Sequence, residues 1–200
     1  MYSSFNRKCN LSNHLNKIEE IEGQKIRQNL KIFIFSLSFF LFPFGSYAGQ
    51  FEVTWVFDGD TFKAEVNDIE IIVRFIAIDA PEISYKKGEP SQPFSNQSKK
   101  ALMDLILYRT VEIKGYGLDK HNRLLAVVFL GGRNVGVELI RQGLAEVYQG
   151  EMPDNFDLKD YRQAEFDAKT ARRGMWTQGN NYVSPREWRG REWRKERLSR

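Results

Sequence analysis

An α+β fold organised around a small β-barrel is predicted for the chain from residue 49 onward. Two observations carry the prediction. Stretches rich in β-branched and aromatic residues recur between turn signals at 51–57, 61–66, 69–78, 110–116 and 123–130, the spacing of short strands. Segments with apolar residues three and four apart follow the third and the fifth of these stretches, which places helices there. With 42% apolar and 14% aromatic residues in a length of 200, the chain can build the core of one ordinary globular domain.

The first strand, FEVTWVF, alternates Phe51, Val53, Trp55 and Phe57 on one face. TFKAEV repeats the alternation, and Asn67-Asp68 makes a hairpin turn into IEIIVRFIAI. This third strand is apolar on both faces, as expected near the centre of a closed or layered sheet. A polar loop with Pro90 and Pro93 follows over 83–94. Ser95 is placed to cap a helix whose apolar face holds Ala101, Leu102, Leu105 and Ile106. TVEIKGY and RLLAVVFL are the fourth and fifth strands, joined by GLDKHN. Asn134 caps a short helix, VGVELIRQG, stopped at Gly143, and a last helix runs from about Leu158 to Arg173 with Gly174 as its stop. The order β-β-β-α-β-β-α-α suggests a five-stranded, partly open barrel of OB type with about three helices.

Residues 1–48 read as a leader. Lys25, Arg27 and Lys31 precede an apolar run from Ile32 to Phe44, and Ser46-Tyr47-Ala48 offers a small-x-small cleavage pattern, the order of a secretory signal peptide. The expectation is export to the periplasm or medium, or a membrane anchor where the leader is retained. Cys9 is the one cysteine and lies in the leader, so the processed protein has no disulfide. From Gln50 to Ala171 there are 15 basic and 20 acidic residues, a net of −5, and from Arg172 onward nine and three, a net of +6. The overall pI near 9.1 therefore gives no general argument for a nucleic-acid-binding body. The tail, SPREWRGREWRKERLSR, repeats Arg-Glu-Trp-Arg and reads as a solvated, amphipathic helical extension.

Four stretches place charge where local structure does not ask for it: DGDT (58–61), Arg74 inside a strand, DAPE (79–82) and DKHNR (119–123). Taken singly, most have a bland reading. Asp-Gly-Asp is a common turn, the proline after Asp79-Ala80 ends a strand, and Arg123 and His121 suit an exposed turn. Arg74 does not, because Ile72, Val73, Phe75 and Ile76 flank it and a buried guanidinium needs partners. Together the groups suit one task. Two carboxylates at adjacent strand ends can converge on a hard cation such as Ca²⁺, a third can reach a water, and two arginines can grip a phosphate with planar forks. That is an inventory for hydrolysing a phosphodiester.

VFDGDTFKAEV…IIVRFIAIDAPE, DKHNRLLAVVFLGGRNVGVELIRQGLAEVY and ARRGMW resemble the thermonuclease family, typified by staphylococcal nuclease, over about residues 51–177. The resemblance implies an OB-type barrel with three helices and a Ca²⁺-dependent enzyme cutting DNA and RNA to 3′-phosphate ends. It implies Asp60, Asp79 and the Ala80 carbonyl as Ca²⁺ ligands. It further implies Glu82 as general base or water-orienting group, and Arg74 and Arg123 as phosphate-holding catalytic residues. His121 stands where many relatives have a tyrosine lining the nucleotide pocket, and Ser95 where glycine is frequent. The resulting division is a leader (1–48), a nuclease domain (49–177) and a basic C-terminal extension (178–200). The expected protein is a monomer with nucleic-acid substrates, no obligate protein partner, and membrane contact only through a retained leader. The alternative is a non-catalytic nucleic-acid-binding OB module. Against it, Asp60, Arg74, Asp79, Glu82 and Arg123 are all present.

Overall fold

A computed structural model describes the backbone of residues 49–198 and the side chains of residues 49–191. The expected leader lies outside the described residues. Strands β1 (Gly49–Val56), β2 (Thr61–Val66) and β3 (Ile69–Phe75) form an antiparallel meander. Its β2–β3 turn is tight because Asn67 and Asp68 both take positive φ, 48° and 62°, as a two-residue hairpin requires. After β4 (Ile78–Asp79), β5 (Thr110–Leu118) pairs with β1, and β6 (Leu124–Leu130) pairs with β5.

The barrel is closed, not partly open. β6 pairs in parallel with β3, Val73 opposite Leu124 and Phe75 opposite Ala126, and the Ile76 amide extends the seam by donating to the Ala126 carbonyl at 3.0 Å. Closure leaves β1, β2, β3, β5 and β6 as a five-stranded OB-type barrel, with β7 (Arg133–Asn134) added beside β6. Phe62, Val53, Val73, Val111 and Val128 fill its interior, all fully buried.

Two sequence expectations shift in detail. Trp55 does not share a face with Val53. A bulge between Val53 and Trp55 inserts an extra residue in β1, which flips the side-chain alternation; Val56 takes the inward position and Trp55 is exposed. In β3, Val73 and Phe75 are buried but Ile69 and Ile72 face solvent, because only the end of the strand near the seam is covered on both sides.

Helix α1 (Ser95–Ile106) buries Ser95, Ser98, Leu102 and Ile106. Ser95 is its first residue and not its cap; Phe94 precedes it at φ 70° without a side-chain cap. Helix α2 (Val135–Arg141) begins where expected, the Asn134 side chain accepting from the Val137 amide at 3.2 Å. β8 (Glu146–Val147) pairs with β4, and α3 (Lys159–Thr170) packs Tyr161, Ala164 and Ala168 inward. Gly143 and Gly174 meet back to back, at φ 71° and 52°, where a side-chain carbon on either would fall 2.2 Å from a backbone oxygen of the facing turn. That contact fixes where the chain leaves α3. A 3₁₀ segment (Gly174–Asn181) and helix α4 (Pro185–Leu198) follow.

Candidate active site

The β1–β2 turn is folded by its own side chains. The Asp58 carboxylate accepts from the Asp60 amide at 3.0 Å, and the Phe57 amide donates to the Thr61 carbonyl at 2.9 Å. Gly59 lies so close to α1 that a side-chain carbon would sit 1.9 Å from Ser98 Oγ and 2.7 Å from Ala80 Cβ. Pressed against this floor, the turn directs Asp60 inward, where it is 2% exposed. Asp60 Oδ1 accepts from Thr61 Oγ1 at 2.9 Å and Oδ2 from the Ala80 amide at 3.0 Å.

Arg74 stands opposite Thr61 in the β2–β3 register, so its side chain reaches the Asp60 end of β2. Nη1 donates to Asp60 Oδ1 at 2.7 Å and Nη2 to Asp79 Oδ1 at 3.0 Å. One guanidinium thus bridges two buried carboxylates on neighbouring elements, which explains an arginine inside an apolar strand. Burial pushes the Asp60 carboxyl up to about 7, against the pull of Arg74 and with the Asp58 and Asp79 charges adding to it. The Asp60 charge in turn raises Arg74 above the usual guanidinium value, against its own desolvation.

Glu82 follows on the loop after β4, its amide donating to the Gln92 side-chain oxygen at 3.0 Å. Burial raises its carboxyl, opposed by a hydrogen bond from Arg189. Arg123 is held apart from the carboxylates. Its Nε donates to Asp119 Oδ2 at 2.8 Å and its Nη2 lies 2.7 Å from the same oxygen, while Asp119 Oδ1 accepts from the His121 and Arg123 amides and shapes the turn. At Asp119 burial opposes ionisation, but these hydrogen bonds outweigh it and lower the carboxyl below its ordinary value. A cavity of about 780 Å³ is lined by Asp58, Arg74, Glu82, His121, Arg123 and Arg189 among others. The structure therefore joins Asp60, Arg74, Asp79 and Ala80 by direct hydrogen bonds and puts Glu82 and Arg123 on the cavity beside them. No contact ties Arg123 to the Asp60–Asp79 pair among the described residues.

Sequence reasoning missed two residues. Arg189, from α4, donates from Nη1 and Nη2 to the two Asp79 oxygens at 2.9 and 2.8 Å and also contacts Glu82. Its desolvation is outweighed by the Asp79 and Glu82 charges, which raise it above the usual arginine value. The basic tail was visible in the sequence; that it returns to an acidic centre 110 residues earlier was not. Glu146 lies opposite Asp79 in the β4–β8 register and is 3% exposed. It accepts from the Tyr182 hydroxyl, and burial pushes it up to about 7, against that hydrogen bond and with the Asp79 charge adding. A carboxyl raised in the folded state stabilises fully below its unfolded value near 4.5 and loses that contribution as pH rises toward 7. Glu146→Gln is therefore expected to flatten the fall in Tm between pH 5 and 8, read by thermal melts in chelator. An unchanged slope would show that Glu146 titrates as an ordinary exposed acid.

The family described as staphylococcal nuclease homologue matches residues 72–178, more than half of the chain. The chain belongs to this family. The match spans Arg74, Asp79, Ala80, Glu82 and Arg123, and stops short of α4. Similar proteins include the probable endonuclease LCL3 of Debaryomyces hansenii, 31% identical over 141 residues, covering 68% of this chain and 60% of the relative. The probable endonuclease LCL3 of Saccharomyces cerevisiae strain S288c is 35% identical over 137 residues, covering 65% and 49%. That of Scheffersomyces stipitis is 32% identical over 164 residues, covering 78% and 67%. The chain thus spans about half to two thirds of these relatives' lengths.

The donor set suits a hard divalent cation. Asp60 and Asp79 offer carboxylate oxygens, and Asp60 Oδ2 keeps a lone pair beyond the one engaged by the Ala80 amide. The burial that raises Asp60 exceeds what Arg74 offsets, so additional positive charge there favours the ionised form. Among the described residues, no cluster of three or more Asp, Glu, His or Cys side chains is gathered tightly enough to hold a metal alone. The set that fits is two carboxylates completed by a main-chain carbonyl and water.

Proposed function

We propose that the chain is a Ca²⁺-dependent nuclease that hydrolyses DNA and RNA and leaves 3′-phosphate ends. The observation that supports it best is the Asp60–Arg74–Asp79 bridge beside a cavity that also presents Glu82 and Arg123. Asp60, Asp79 and the Ala80 carbonyl hold Ca²⁺ in this reading. When bound, the ion would supply positive charge that lowers the cost of the charge developing on the phosphate. Glu82 accepts a proton from, or orients, the water that attacks phosphorus, and its burial-raised carboxyl makes it a better base than an exposed glutamate. Arg74 and Arg123 hold the phosphate oxygens and stabilise their charge. As the water oxygen bonds to phosphorus the bond to the 5′ oxygen breaks, that oxygen leaves and takes a proton from solvent, and the phosphate stays on the 3′ side. Export is proposed from the leader alone. Among the described residues no helix is long and apolar enough to cross a membrane.

DNA hydrolysis by the purified protein is expected to require Ca²⁺ and to be supported poorly by Mg²⁺, which keeps its waters and demands near-octahedral geometry. A plate or fluorescence assay with Ca²⁺, Mg²⁺ or chelator checks this. Full activity in chelator would overturn the metal assignment.

A further inference from the structure

We propose that Arg189 is a built-in counter-cation of the candidate metal site: α4 holds a guanidinium on Asp79 and Glu82 that a divalent cation must displace. The inference rests on the proposed Ca²⁺ site.

The first support is occupancy. Asp79 Oδ1 accepts from both Arg74 Nη2 and Arg189 Nη1, and Oδ2 accepts from Arg189 Nη2. A carboxylate oxygen has about two lone-pair sites, so Oδ1 is saturated and the fork of Arg189 covers Oδ2. Glu82 Oε1 contacts the same guanidinium. The cation and Arg189 are drawn to the same oxygens and repel each other at close range.

The second support is that the arginine is mounted so that it can leave without unfolding the tail. Upstream of α4 the chain is pinned. The Trp176 and Tyr182 rings pack at a tilt of 47° with centroids 4.5 Å apart, the Tyr182 hydroxyl donates to Glu146, and Gln92 Nε2 donates to the Val183 carbonyl at 2.8 Å. Pro185 is buried at the start of the helix, and the Ser184 hydroxyl accepts from the Glu187 amide at 3.2 Å as its cap. The Arg189 side chain itself is 38% exposed, which gives the guanidinium a path to water. Gln92 links the two ends of this device, because its side-chain oxygen holds the Glu82 amide while its nitrogen holds Val183. Gln92 thus ties the segment before α4 to the loop carrying the proposed base.

Isothermal titration of the protein with Ca²⁺ tests the idea directly. Hydrogen bonds to charged groups contribute enough that their removal is expected to tighten Ca²⁺ binding in Arg189→Ala by about 10- to 100-fold. Arg189→Lys, which keeps a charge but not the fork, is expected to fall between Arg189→Ala and the unmodified protein. Ca²⁺ affinity in Arg189→Ala that is unchanged or weaker overturns the proposal. If the unmodified protein binds Ca²⁺ and cuts DNA while Arg189→Ala binds no tighter, only the displacement is wrong. If no variant binds Ca²⁺, the metal site fails and takes this inference with it.

Discussion

Arg123→Ala is expected to lower the turnover of DNA hydrolysis by about 10²–10³-fold, the usual loss when one preorganised positive donor is removed from a developing anion. Little else should change. The guanidinium is 25% exposed and engages one carboxylate, Asp119, and pairs in such water-accessible places are worth ~0–1 kcal/mol. The turn survives the substitution, because the Arg123 and His121 amides that bind Asp119 Oδ1 belong to the backbone. Nε and Nη2 are committed to Asp119, yet the five N–H donors of a guanidinium leave a free edge for a phosphate. Asp119 thus aims the fork without consuming it.

The measurement is turnover at saturating DNA, beside a thermal melt and a Ca²⁺ titration of the same variant. Tm and Ca²⁺ affinity should match the unmodified protein, since Arg123 does not touch Asp60 or Asp79. Arg123→Lys should recover part of the loss, having the charge but not the planar fork. A folded Arg123→Ala enzyme with near-normal turnover would remove this residue from the catalytic set.

Why the arginines differ in legibility follows from their surroundings. Arg74 was readable because its neighbours in the sequence are apolar and its partners flank it: DGDT begins the paired strand and DAPE follows its own. Local pattern and local pairing agree there, so hairpin geometry alone brings Asp60 within reach. Arg189 offers the opposite case. Among charged neighbours in REWRGREWRK, a guanidinium looks solvated, and its partner Asp79 is reached only through the tertiary path past Gly143–Gly174 and Tyr182–Glu146. The barrel strands were visible from period-two alternation, but their closure was not, since the parallel β3–β6 seam joins segments about 50 residues apart with no turn between them to announce it. Trp55 shows the limit of periodicity itself: one bulge residue took an aromatic off the face that the alternation assigns it with Val53 and turned it to the solvent. Asp60 and Asp79 were legible as residues, whereas their burial and the resulting rise at Asp60 depend on α1, β4 and β8 packing over the turn.

Arg74→Ala is expected to combine the catalytic loss with a structural one. Turnover should fall by about 10²–10³-fold or more, because the guanidinium proposed to hold the phosphate disappears. Stability should fall as well, since removing one partner of a buried ion pair costs about 3–5 kcal/mol, and here the pair joins two carboxylates at 3% and 2% side-chain exposure. Asp79 retains Arg189, so the burden falls mainly on Asp60, which keeps only Thr61 Oγ1 and the Ala80 amide. The direction with pH follows. Asp60 already stands at about 7 against an ordinary 3.8, and losing its main counter-charge raises it further. A raised carboxyl contributes fully at low pH and loses its contribution as pH climbs through the folded-state value. The Tm deficit of Arg74→Ala should therefore be small near pH 5, where Asp60 takes a proton, and largest near pH 8. Ca²⁺ separates the two losses. Saturating Ca²⁺ should restore much of the Tm by replacing the missing positive charge between the carboxylates, but it should not restore turnover, because the ion cannot supply the lost fork to the phosphate. A variant that melts like the unmodified protein at pH 8 in chelator would mean that Arg74 does not hold Asp60 ionised. Rescue of turnover by Ca²⁺ alone would mean that the arginine serves the metal site and not the phosphate.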